Sequence, residues 1–275
     1  MEGAVLQASQ AWSSISFPDV TVFAGGRVPA LEGERFAGAV GRLLQRDHVP
    51  GGARLRITGP NHDSGPLLIQ VNLHLGDIPA RVQTLTHGHG DALPAVVRLE
   101  RQIKALRTSW QPRSWPDPTR PPLDSPGPGG LARRKSVSLT VSRPLAAAAV
   151  MDAMDYDVHL FIDADTGEDA VIYRAGPRGL RLARRYSVHP PRSATDGPGP
   201  LTINPRPAPT ITETRAAARV CEYGLPFLFY TDPNSGRGHL MYRRYDADLT
   251  LITPTDRDTD ATAPSPAPAL GAPAR

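Results

Sequence analysis

The sequence predicts an α+β protein: an N-terminal β-α-β-β-β-α sheet with two helices on one face, followed by two small β-α-β-β-β domains. Three observations carry this. Strand-period and helix-period segments alternate between residues 17 and 110. A shorter pattern is then written twice, Phe161-Ile162-Asp163-Ala164-Asp165-Thr166-Gly167 against Tyr230-Thr231-Asp232-Pro233-Asn234-Ser235-Gly236, an offset of 69 residues. Finally, the 30 Pro and 25 Gly among 275 residues concentrate between these blocks, although their sum is well above the ordinary share of about 12%.

Taken in order, residues 1–16 show no pattern and are expected to be disordered, and residues 17–110 form the first module. Val20 to Ala24 is a short strand ending at Gly25-Gly26. Leu31, Phe36, Ala39, Val40, Leu43 and Leu44 then fall at helical spacing. In Arg54-Leu55-Arg56-Ile57-Thr58 the apolar residues share one face and the arginines the other. Leu67, Ile69, Val71, Leu73 and Leu75 repeat every second residue, and after the Gly76-Asp77 turn Ile78, Ala80 and Val82 continue a hairpin. Asp91 to Trp110 is helical, with Leu93, Val96, Leu99, Ile103, Leu106 and Trp110 along one side and Asp91 expected as its N-cap.

Residues 111–132 and 187–199 read as Pro/Gly linkers, and 255–275 as a disordered tail with too little apolar surface to offset the entropy of ordering. The repeated domains are 133–186 and 200–254. Each has a helix (Leu145 to Tyr156; Glu213 to Tyr223) and a three-stranded meander whose first turn holds Thr166-Gly167 or Ser235-Gly236. Two copies are too few for a solenoid, so a duplicated domain is the reading.

Lys+Arg number 31 against Asp+Glu 27, a net charge of +4, and all but Lys104 and Lys135 of the bases are arginine. Arginine forks onto phosphate oxygens and stacks on bases, although a GC-rich genome gives the same bias. The single Cys221 excludes an internal disulfide and a cysteine zinc site and fits a reducing compartment. No apolar run nears the roughly 18–20 residues of a membrane helix, and no base precedes Arg27, so a soluble cytoplasmic protein is expected.

The chemistry-bearing candidates are basic. Arg98, Arg101 and Lys104 recur every third residue of the second helix, with Arg107 at its flank and Arg113 beyond. Arg54, Arg56 and Arg81 lie on the sheet face away from the helices, and Arg27 ends the first strand. Such a surface can follow a phosphate backbone; the alternative is an ordinary solvated face. The other exposed positions singled out there, Gln70, Asn72, His74 and Gln83, include no aromatic, unlike the RNA readers that stack bases on their sheets. His87-Gly88-His89-Gly90-Asp91 reads as a loop rather than a metal site, and Cys221 as a buried thiol. No phosphate loop, nucleophile elbow or paired catalytic set is present, so no enzyme, metal or cofactor is expected.

The segment Met151-Asp152-Ala153-Met154-Asp155-Tyr156-Asp157-Val158-His159-Leu160-Phe161, with Asp165-Thr166-Gly167-Glu168 and Val171-Ile172-Tyr173-Arg174 behind it, resembles the C-terminal domain of long ribosome hibernation promoting factors. So does the second copy, through Tyr242-Arg243-Arg244-Tyr245-Asp246 and Leu251-Ile252-Thr253-Pro254. The first module, with Leu99-Glu100-Arg101-Gln102-Ile103 in its last helix, is similar to the family's ribosome-binding domain. The tandem C-terminal copies look like those of actinobacterial dormancy- or hypoxia-associated members.

The resemblance implies a translation inhibitor of the stress response that occupies the decoding region of the 30S subunit and holds the 70S ribosome inactive. Its nine bases, Arg27 through Arg113 above, then contact 16S rRNA, beside ribosomal proteins. The resemblance also implies that the C-terminal domains pair, within the chain or with a second chain, through Val158, Leu160, Phe161, Tyr173, Phe227, Phe229, Tyr230 and Tyr242. The alternative is a protein-interaction adaptor acting through those paired domains. Gly26-Arg27-Val28, where the family has Gly-Arg-Asn, and a first helix with Glu32, Glu34 and Asp47 among its bases depart from the pattern.

Overall fold

The computed structural model describes residues 10–26, 28–59, 66–86, 90–113, 129–175, 179–191, 201–244 and 248–255. The expected linkers and tail fall largely on 114–128, 192–200 and 256–275, outside the described residues. The chain divides into two compact units: Met1–Asp124 with Val141–Pro207, and Ser125–Thr140 with Ala208–Arg275.

The first unit opens with β1 (Gln10–Ser13), β2 (Val20–Gly25), α1 (Ala30–Arg46), β3 (Ala53–Thr58), β4 (Leu68–Leu75), β5 (Ile78–Leu85) and α2 (Leu93–Leu106). The strands lie side by side in chain order. Only β2 and β3 run parallel, because α1 crosses over between them. Alternation sends Val20, Val22, Leu55, Ile57, Ile69, Val71 and Val82 to one face, under Phe36, Val40, Leu43 and Leu44 of α1 and Ala95, Leu99 and Ile103 of α2. At Gly52 (φ +68°) a Cβ would stand 2.0 Å from the Asp19 carbonyl oxygen, so the entry into β3 requires glycine.

Two expectations change here. Gln10–Ser13, expected to lie in a disordered N-terminus, is a strand antiparallel to β2. It is held by Glu34, which accepts from Trp12 Nε1 (2.7 Å) and Ser14 Oγ (2.9 Å), while Trp12 packs over Gly33 and Phe17 over Gly41. The cap of α2 is Ala92, with no side-chain cap, not Asp91.

β6 (Leu131–Val137) belongs to the second unit. The first unit continues with β7 (Val141–Ser142), α3 (Pro144–Ala153), β8 (Val158–Asp163), β9 (Asp169–Tyr173), β10 (Leu180–Arg184) and β11 (Leu201–Ile203), in the sheet order β11-β10-β9-β8-β7. Ala147, Ala148 and Met151 of α3 pack on Phe161, Ile172 and Leu182. In the second unit, α4 (Glu213–Glu222) is capped by Thr212 and covers β12 (Phe227–Thr231), β13 (Gly238–Arg243) and β14 (Leu249–Pro254), ordered β12-β13-β14-β6.

The leading strands are therefore exchanged relative to the sequence repeat. β11 pairs parallel with β10, Arg181 opposite Thr202; β6 pairs parallel with β14, Thr250 opposite Arg133. Both partners are shifted by the same 69 residues, so the two exchanges are counterparts. Leu180-Arg181-Leu182 and Leu249-Thr250-Leu251 offer matching edges, which leaves the choice of partner unspecified by local pattern.

Candidate nucleic-acid interface

The nine bases singled out in the sequence do not form one surface. Arg54 and Arg56 project from β3 on the open face of the first sheet, and both are exposed. Across the register, Arg54 opposes Asn72 and Arg56 opposes Gln70; Gln70 Nε2 donates to Gln83 Oε1 at 2.8 Å. Arg81 also donates to Gln83 Oε1, and its guanidinium stands 5.6 Å from the centroid of the Tyr156 ring. The sequence reading missed one aromatic on this face: half-buried Phe23 lies beside Arg56 in the register. It was legible as the residue between Val22 and Ala24, both of which point inward.

On α2, Arg101, Lys104 and Arg107 are exposed. Lys104 Nζ donates to Glu100 Oε1 at 2.7 Å, and Arg46 Nη2 lies 3.1 Å from the same oxygen. The Lys104 hydrogen bond is the main reason the Glu100 carboxyl is held below its ordinary range. Arg107 donates to the Asp47 carbonyl. This corner thus presents four bases against Glu100 and Asp47, a net positive patch that is partly neutralised from within.

Arg98 does not belong to that ridge: its residue exposure is 7%. Three residues turn a helix by about 300°, so a period of three drifts by about 60° at each step. From Arg98 to Lys104 the drift is about 120°, enough to carry Arg98 around to a covered side. Its fork meets the Asp155 carboxylate, Nη2 to Oδ1 at 2.6 Å and Nε to Oδ2 at 3.0 Å. Arg113 Nη1 reaches Oδ1 at 2.8 Å, and the Gln83 backbone N–H, on the outer edge of β5, donates to Oδ2 at 2.8 Å. The Asp155 side chain is fully buried.

Around this contact the end of α3 is satisfied by the first module. Gln102 Nε2 donates to the carbonyls of Asp152 (2.9 Å) and Ala153 (2.6 Å) at the C-terminal end of α3, where intrahelical donors run out. Trp110 Nε1 donates to Asp152 Oδ2 at 3.1 Å, and Arg174 holds Oδ1. Arg98 and Arg113, expected on RNA, are in this structure committed to the first repeated domain. Arg27 lies outside the described residues, as do His87, Gly88 and His89.

The pairing residues also separate. Val158, Leu160 and Tyr173 lie on the face of their sheet away from α3, and Phe227, Phe229 and Tyr242 on the face away from α4. Phe161 and Tyr230 instead point inward, each in the core under its own helix, because they occupy the alternate register positions. Cys221 is half-buried against the second core, its Sγ 3.6 Å from the Gly129 carbonyl. Among the described residues no three His, Cys, Asp or Glu side chains gather as a metal site, and no helix is long and apolar enough to cross a membrane.

An α+β sheet module with basic patches, followed by a duplicated small domain, defines the structural class. Comparison with known proteins narrows the class. The model of the family described as Sigma 54 modulation/S30EA ribosomal protein C terminus matches residues 128–182. Two relatives, both called "Dormancy associated translation inhibitor", come from Mycobacterium tuberculosis strains CDC 1551 / Oshkosh and ATCC 25618 / H37Rv. Each is 54% identical over 244 residues, covering 87% of this chain and 89% of the relative. The chain belongs to this family, that of the long ribosome hibernation promoting factors.

Proposed function

We propose that this protein is a ribosome hibernation factor of the cytoplasm, which binds the decoding region of the 30S subunit and inhibits translation in dormancy or stress. The observation that carries the reading is the 54% identity to dormancy associated translation inhibitors across 87% of the chain. The first module supplies the bases: Arg54 and Arg56 on the open sheet face, and Arg101, Lys104 and Arg107 at the α2 corner. With half-buried Phe23 as the Phe, Tyr or Trp on that face among the described residues, recognition rests on phosphate and shape rather than on a row of stacked bases. Co-sedimentation with purified 30S subunits tests this directly: the full chain pellets with them at low salt, and absence of binding refutes the reading.

The repeated domains are proposed to pair with each other within one chain. Each sheet has an apolar face away from its helix, Val158, Leu160, Val171 and Tyr173 in one and Phe227, Phe229, Leu240 and Tyr242 in the other. Two such faces in one molecule satisfy each other at high effective concentration. The factor then silences single 70S ribosomes without joining them in pairs. Sedimentation of ribosomes at saturating factor is expected to show single ribosomes; a dominant ribosome-dimer peak refutes intrachain pairing.

A further inference from the structure

We propose that Asp155 is an internal stand-in for a phosphate of the RNA backbone, so that the first repeated domain and RNA compete for one anion site on the first module. The inference rests on the ribosome reading above. The site is built from Arg98, Arg113 and the Gln83 backbone N–H, and four hydrogen bonds of 2.6–3.0 Å converge on the two carboxylate oxygens. Two oxygens held by an arginine fork, with further donors from the side, is equally the recognition geometry of a phosphodiester.

The duplication supplies an independent observation. The counterpart of Asp155 in the second copy is Gly224, and the counterpart of Asp152 is Cys221. Gly224 has φ 59° and Asp155 φ 52°, so both occupy the left-handed region, which glycine enters freely and other residues enter at a cost. The first copy thus keeps a side chain where the backbone favours none. It is this side chain whose carboxylate closes on Arg98 and Arg113. Tyr156, which lies against Arg81, has Leu225 as its counterpart, so the second copy lacks the ring as well as the carboxylate.

The consequence is a closed form off the ribosome, in which Arg98 and Arg113 are withheld, and an open form in which they join the exposed bases on RNA. Asn tolerates the left-handed backbone and keeps the shape while removing the charge, so Asp155→Asn is the first variant. Asp155→Gly, which copies the second domain, is the second and guards against a folding defect. Two measurements on the full chain separate the parts of the proposal. Exchange of the Gln83 amide, followed by NMR in the absence of ribosomes, reads the contact. Equilibrium binding to 30S subunits reads the competition.

Asp155→Gly is expected to lose Gln83 protection and Asp155→Asn, whose Oδ1 still accepts, to lower it, and both to bind 30S subunits roughly 5- to 150-fold more tightly, the usual range for a coupling between two sites. Unchanged protection in Asp155→Gly overturns the contact. Lost protection with unchanged or weaker binding overturns the competition while leaving the ribosome reading intact. If neither the parent chain nor the variants bind, the ribosome reading fails and the competition with it, and the exchange measurement still reports whether the contact forms.

Discussion

Removing the charges of Arg101 and Lys104 tests whether the α2 corner lies on rRNA. In the double variant Arg101→Gln/Lys104→Gln two exposed bases are lost without touching the buried Arg98, Leu99, Gln102 or Ile103. Lys104 must release Glu100 to meet a phosphate, and an exposed, solvent-screened pair at this spacing is too weak to hold it back. Each phosphate contact contributes about 0.7–0.9 to the slope of log affinity against log salt, so the slope falls by about 1.4–1.8. Over a fourfold rise, from about 50 to 200 mM, the parent chain then loses roughly 7- to 12-fold more affinity than the variant. Binding to 30S subunits at several salt concentrations measures this. Parallel lines for the two proteins refute the placement of α2 in the interface.

Three further outcomes follow from the packing. Asp163→Ala strands Arg184, which is 2% exposed and donates through Nε to Asp163 at 2.5 Å; a loss of about 3–5 kcal/mol is expected in chemical denaturation, smaller when Arg184→Met accompanies it. Gly52→Ala meets the Asp19 carbonyl and costs at least about 2 kcal/mol, whereas Gly51→Ala, at φ +83° with open space around it, costs only the left-handed backbone, about 1–2 kcal/mol; equal melting temperatures for the two contradict this. His159, stacked 6.2 Å from both Tyr156 and Phe161, has its pKa pushed down to about 4 by burial, below the ordinary 6.5. The unfolded chain therefore takes up its proton first, so stability falls as pH drops from about 6.5 towards 4, and His159→Gln flattens that limb of the stability profile.

Much of the architecture was legible because period carries it. The strand and helix order of the first module, the two helices on one face and the repeat at 69 residues follow from alternation and spacing alone. β1 was not legible: its four residues, Gln-Ala-Trp-Ser, show no alternation, and their partners sit on α1 about 20 residues away. The strand exchange was hidden because matched edges give local pattern nothing to choose between. Arg98 departs from the ridge because a recurrence of three is not a helix face: the helix turns away from it at each step. The signal that could have moved it is Asp155 opposite Gly224 in the repeat, a charged residue at a position where its twin has glycine.

The exchanged strands also bear on how the polypeptide is made and broken. The sheet that begins at β7 is not complete until Ile203 has been synthesised, and the one that takes β6 waits for Pro254, so neither repeated domain finishes folding as a contiguous stretch leaves the exit tunnel. A protease that nicks the chain between β10 and β11 does not free a clean C-terminal fragment. The new amino-terminal piece keeps β6, which is hydrogen-bonded along β14 of the other, and that other piece keeps β11, hydrogen-bonded along β10. Cleavage here yields two fragments that remain clasped through both sheets.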